Sequence, residues 1–170
     1  MDVRLAITSR REVRDYSDRA IADDAQLRIL EAGRISGSSK NRQPWRFLVI
    51  DDSQLRERIA ESVYAPENVR GAALVIAIAL RGKGPTSFDA GRAAQNMMLT
   101  AWNDGIGACP NGIGDAEAMA GALGLAEDEQ AVTVLTFGYP ARPRDPERRS
   151  PEEWLARADR KPLEEVVERL

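Results

Sequence analysis

Residues 72–80, Ala-Ala-Leu-Val-Ile-Ala-Ile-Ala-Leu, form the longest uninterrupted apolar run in the chain. A membrane-crossing helix needs about 20 such residues, so this run reads as a buried strand. The 170 residues around it fit one ordinary globular domain, long enough to bury a sizeable core. With 43% hydrophobic and 30% charged residues, the chain lies far from the composition of disorder. Met1-Asp2-Val3-Arg4 lacks the apolar segment of a signal peptide. The expectation is a soluble, cytoplasmic protein with no membrane partner.

Composition removes several kinds of chemistry. A net charge of −3 argues against a general nucleic-acid binder, which needs surplus cations to displace counterions from phosphates. The single cysteine, Cys109, permits neither an internal disulfide nor a thiolate metal cluster. Histidine is absent, which rules out Ser-His-Asp and Cys-His pairs, histidine bases and histidine metal sites. An enzyme built from this chain must use carboxylates, arginine and lysine, or a bound cofactor.

Periodicity gives a coarse map. Residues 2–9 read as a helix with Val3, Ala6 and Ile7 on one face, and Asp23–Ile35 as a helix with Leu27, Leu30 and Glu31 at helical spacing. A small polar loop, 36–41, leads to a strand over Trp45–Ile50, and 52–62 reads as an amphipathic helix. The clearest helix is Asp89–Asn103, whose Ala90, Ala93, Ala94, Met97, Met98, Ala101 and Trp102 make one broad apolar face. Its alanines would let a further helix, such as a partner's, approach closely. Gly105–Gly112 reads as a loop, 115–123 as a helix and Ala131–Phe137 as a strand. Residues 141–170 are a polar tail that lies across another surface, such as a second subunit. Three or four strands mixed irregularly with helices imply an α+β fold, and no G-x-G-x-x-G or Walker loop follows a strand.

Three clusters can bind an anionic, ring-bearing ligand. If the first helix continues through Arg10-Arg11-Glu12-Val13-Arg14, then Arg10 and Arg14, and Arg11 and Arg14, converge at helical spacing. Converging guanidiniums grip a phosphate through paired, charge-assisted hydrogen bonds. The same residues also suit a solvated charged face, since Glu12, Asp15 and Asp18 are interleaved. Ser38-Ser39-Lys40-Asn41-Arg42-Gln43-Pro44-Trp45 offers Asn and Gln groups that donate and accept, as the pyrimidine edge of a flavin requires. It equally suits an ordinary helix-to-strand loop ahead of a core Trp. Gly105–Gly112 presents irregular backbone amides, and it also reads as a simple helix cap and turn.

The order of these segments resembles the nitroreductase family. The resemblance rests on Arg10–Arg14, Gly37-Ser38 through Asn41-Arg42-Gln43-Pro44-Trp45, and Asp89-Ala90-Gly91-Arg92-Ala93-Ala94-Gln95-Asn96. It continues through Gly105-Ile106-Gly107, Phe137-Gly138-Tyr139-Pro140 and Arg160-Lys161-Pro162-Leu163-Glu164-Glu165. The resemblance implies a single nitroreductase-like domain over 1–170, with a central mixed, mostly antiparallel sheet flanked by helices, working as a homodimer. It implies bound FMN as cofactor. Arg10, Arg11 and Arg14, helped by Arg160 or Lys161, would hold the phosphate and neighbouring atoms. Ser38, Asn41 and Gln43 would contact the phosphate, ribityl or ring edge, and Pro110, Asn111 and Gly112 would lie beside the ring's central nitrogen. Glu12 belongs to the same stretch but replaces the family's usual Ser, and on a helix it would face away from Arg10.

The implied activity passes hydride from NAD(P)H through the flavin to a small acceptor of nitroaromatic, quinone or enone type. No side-chain acid or base is obligatory, in keeping with a chain that lacks histidine. Other flavin chemistry on the same fold, namely ring dehydrogenation or flavin cleavage, is the alternative. A non-catalytic nucleotide-binding module that has lost FMN is another.

Overall fold

The computed structural model describes residues 1–170. The strands are β1 (Trp45–Val49), β2 (Leu74–Arg81), β3 (Gly107–Asn111) and β4 (Glu129–Gly138), in the antiparallel order β1-β2-β4-β3. The helices are α1 (Val3–Ser9), α2 (Asp23–Arg34), α3 (Ser53–Glu61), α4 (Pro66–Arg70), α5 (Thr86–Asn103), α6 (Ala116–Leu123) and α7 (Pro151–Ala156). All strand pairs of the sheet are antiparallel, and the only parallel pairing at its margin is an isolated bridge between Glu12 and Ala108, outside the strands. No helix is long and apolar enough to cross a membrane.

The backbone forms two compact units, 11–144 and a smaller one made of 1–10 and 145–170. In the larger unit, β2 explains the apolar run. Leu74, Ile76, Ile78 and Leu80 join one core with α2 and α5, while Val75 and Ala77 join a second core with Ile59, Val69 and Met119. Alternate side chains enter opposite layers, so both faces of the strand must be apolar. At the far end of β4, the Glu129 carboxylate accepts from Arg46 at 2.8 Å and lies 3.6 Å from Arg81, which ties β1, β2 and β4 together. The Ala126 amide and then Arg46 hold that carboxyl below the usual range.

The apolar face expected on α5 is buried, but against this chain's own sheet and α2. It is therefore not left over for a partner helix. The close approach comes from Gly33, where a Cβ would lie 2.8 Å from Met97 Sδ and 2.9 Å from Phe47. That contact also rotates α2 away from its expected face. Ala25, Ile29 and Gly33 are buried, while Leu27 is exposed. Local sequence did not announce α4, a short turn opened by Pro66 at its first position.

In the smaller unit, Asp2 caps α1 through Leu5 N at 2.9 Å, and Ser150 and Glu153 form a reciprocal cap on α7. Arg4 and Glu152 pair at 2.8 Å. Leu5 and Ala6 are buried, whereas Val3 and Ile7, expected inside, are exposed. The tail carries short helical turns at 146–148 and 163–165 besides α7.

Candidate functional site on the outer edge of β3

The segment expected as a loop around Gly105–Gly112 contains β3, the edge strand beside β4. A glycine and a proline persist in it because an edge strand can dispense with ladder hydrogen bonds on its outer side. The first arginine cluster is not helical either. The backbone leaves α1 at Arg10, whose ψ is 133°, and Val13 N donates to Ala108 O at 3.1 Å. The helical convergence expected for Arg10, Arg11 and Arg14 does not form. Val13 decides the matter: it is buried over Gly107, where a Cβ would sit 2.6 Å from it. In extended backbone, alternate residues share a side, so Glu12 shares a side with Arg14.

Two ribbons flank the outer edge of β3. At one end Ala108 O accepts from Val13, and at the other Gly112 O accepts from Tyr64 N at 3.1 Å. Pro110 lies midway, exposed and without an N–H to offer. Beyond Val13 the segment turns away from β3: Ala141 N donates to Asp15 O at 3.0 Å and Tyr16 bridges Pro140, so Arg14 lies toward the Tyr139-Pro140 turn and not alongside Pro110. At that turn a cleft of about 160 Å³ is lined by Glu12, Val13, Arg14, Asp15, Pro140, Arg142 and Arg144. Three guanidiniums against two carboxylates leave it cationic, and its size suits a phosphate-sized anion. Sequence reasoning missed Arg142 and Arg144. Their signal was Arg-Pro-Arg one residue after the Tyr-Pro turn, because Pro143 favours an extended backbone that sends both neighbours to one side.

Beneath the edge runs a buried polar network. Asn111 is 3% exposed and accepts from Asn68 Nδ2 at 2.8 Å. Its own amide donates to Val134 O, Cys109 O and Thr136 Oγ1. Thr136 Oγ1 in turn lies 3.0 Å from the Tyr16 hydroxyl. The side chain of Asn111 thus anchors β3 from below, with Asn68 as a partner that no sequence signal revealed. Burial pushes the Tyr16 phenol well above its ordinary value near 10. The unfolded chain therefore releases this proton first. Above about pH 10 the folded state holds more protons, and stability falls by up to about 1.4 kcal/mol per pH unit. Urea midpoints measured between about pH 9 and 11 should show this slope in the parent and lose most of it in Tyr16→Phe. An equal slope in both proteins contradicts the assignment.

The second cluster sits at the opposite edge of the sheet, leading into β1. Lys40, Asn41 and Gln43 all adopt left-handed backbone, with φ of 53°, 54° and 49°. Such positions cost on the order of 1 kcal/mol or more each and concentrate at ligand-binding loops. Ser38 Oγ accepts from Gln43 N at 2.8 Å, and the buried Asp89 carboxylate accepts from Ser39 N at 3.0 Å. Asn96 Nδ2 donates to Ser36 Oγ at 2.7 Å. The Asp and Asn of the α5 motif thus hold this strained loop in place. Within one chain, Ser38, Asn41 and Gln43 are not brought to Pro110. Arg10, Arg160 and Lys161 belong to the smaller unit, Arg10 half-buried and the other two exposed; Arg160 donates to Ala158 O at 3.0 Å.

The model of the nitroreductase family matches residues 7–83 and 64–139. A protein of Archaeoglobus fulgidus, provisionally named an NADH dehydrogenase/NAD(P)H nitroreductase, is 32% identical over 82% of this chain and 86% of its own length. The crystal structure of a provisionally named nitroreductase from Desulfovibrio desulfuricans in complex with FMN is 31% identical. It superposes with a TM-score of 0.82 over 98% of this chain and 96% of that one. The NADPH:FMN oxidoreductase of Vibrio harveyi complexed with NAD+ shares the fold at a TM-score of 0.82 and 22% identity, over 96% of this chain and 75% of that one.

Proposed function

This chain belongs to the nitroreductase family, and on that premise we propose that it is an FMN-dependent oxidoreductase working as a homodimer. One observation carries the reading: the open β3 edge at Pro110, with the cationic Arg14 cleft toward the start of that strand, and the strained Ser38–Gln43 loop lie on opposite edges of one sheet. Two strands intervene, so about 14 Å separates the edges at the usual strand spacing. One ring touched by both clusters therefore takes one cluster from each of two copies.

The residues fit the cofactor. Arg14, Arg142 and Arg144 supply the charge a phosphate needs. Pro110 keeps the β3 edge clear for a flat ring, beside Asn111 and Gly112. Ser38, Asn41 and Gln43 of a second copy offer donors and acceptors to its polar edge. When bound, FMN supplies a two-electron carrier between a reduced nicotinamide and a small acceptor, a nitroaromatic, quinone or enone. Donor and acceptor occupy the same place in turn. The whole of 1–170 acts as one functional domain, with 141–170 as its tail.

Purification in the presence of FMN should give a yellow dimer by light scattering that NADPH or NADH bleaches without oxygen. Bound flavin that is never reduced removes the oxidoreductase reading, and a monomer that retains FMN removes the two-copy site. Glu12, which shares a side with Arg14 in the cleft, favours one other reading, a nucleotide-binding module without FMN. A colourless protein that FMN cannot reconstitute would establish it.

A further inference from the structure

We infer that Tyr64 determines acceptor specificity, its ring forming a wall of the acceptor subsite that favours flat aromatic molecules. The inference rests on the flavin reading of the β3 edge. Tyr64 is 80% exposed, so its ring gains little from burial within this chain. Its backbone is nevertheless pinned to the end of β3. Its N–H donates to Gly112 O, Val63 bridges Ile113, and Gly114 N donates to Ser62 O at 2.8 Å. The ring lies across two glycines. A Cβ at Gly112 would come within 3.1 Å of Tyr64 Cδ2, and one at Gly114 within 3.4 Å of Cδ1. Both positions are bare where the ring rests. An aromatic surface thus stands in solvent against Gly112, on a backbone tied to the β3 end and next to the gap at Pro110. A flat, electron-poor acceptor entering that gap meets this ring, whereas a compact non-aromatic acceptor gains nothing from it.

The test uses the flavin-loaded dimer with 4-nitrobenzyl alcohol and cyclohexenone as probes. Dissociation constants come from perturbation of the visible flavin spectrum, alongside separate kcat and KM values for each acceptor. In Tyr64→Ala the Kd and KM for the nitroaromatic should rise about 3- to 10-fold, with those for cyclohexenone within about twofold of the parent. FMN affinity and Tm should stay unchanged, and Tyr64→Phe should behave as the parent. Equal losses for both probes, or none for the nitroaromatic, in a yellow and reducible protein overturn this inference alone. A protein that cannot take up FMN overturns the flavin reading and this inference together.

Discussion

Replacing Arg14 by Glu should weaken FMN binding about 100-fold or more, which corresponds to about 2.7 kcal/mol. Loss of a hydrogen bond to a charged group accounts for roughly 1.5–3 kcal/mol. The substitution also adds a third carboxylate to a cleft that already holds Glu12 and Asp15. Titration of the apoprotein into FMN, followed by quenching of flavin fluorescence, measures the change directly. Arg14 is exposed, so the variant should keep its unfolding midpoint within about 0.5 kcal/mol of the parent. Arg14→Lys should fall between the two, because an ammonium keeps the charge and loses the planar fork. An Arg14→Glu protein that binds FMN as the parent does removes this residue from the site.

The larger effect on stability belongs to Asn111→Ala. The side chain serves Asn68, Val134, Cys109 and Thr136 in a buried setting, and each group left unsatisfied costs roughly 1–3 kcal/mol. A total near 3 kcal/mol should lower Tm by roughly 6–12 °C in a domain of this size. Asn68→Ala should destabilise less, and the double variant should fall short of the sum by about 1 kcal/mol, since the two amides share one bond. Urea unfolding of all four apoproteins gives the cycle. Additive losses would show that Asn68 and Asn111 act separately.

Much of this was readable from sequence where a pattern was long. The run at 72–80 had to be a strand, and α5 showed its buried face outright. Short segments yielded only to tertiary context. Gly107 and Pro110 carry turn chemistry, and β3 exists because its position at the edge tolerates them. Arg10–Arg14 had helical spacing of charges, yet Val13 packing over Gly107 draws that segment into extended backbone. The face of α2 depended on Gly33 meeting Met97, a contact 64 positions away in sequence. The candidate site was legible as residue types and illegible as geometry. Ser38, Asn41 and Gln43 were identified, but one sequence does not reveal that they occupy the sheet edge opposite Pro110. Asn68, Tyr64, Arg142 and Arg144 carried no periodic signal, since each acts through a neighbour distant in the chain.

The proline in the middle of β3 has a further consequence, for behaviour at high concentration. Exposed strand margins are the usual starting point for runaway stacking of one molecule on the next. Here a recruit would find Val13 and Tyr64 already occupying both ends and no donor at Pro110 between them. A margin closed at both ends and without a donor between them denies a foothold to another polypeptide, so this chain can keep it open without becoming a seed for fibres.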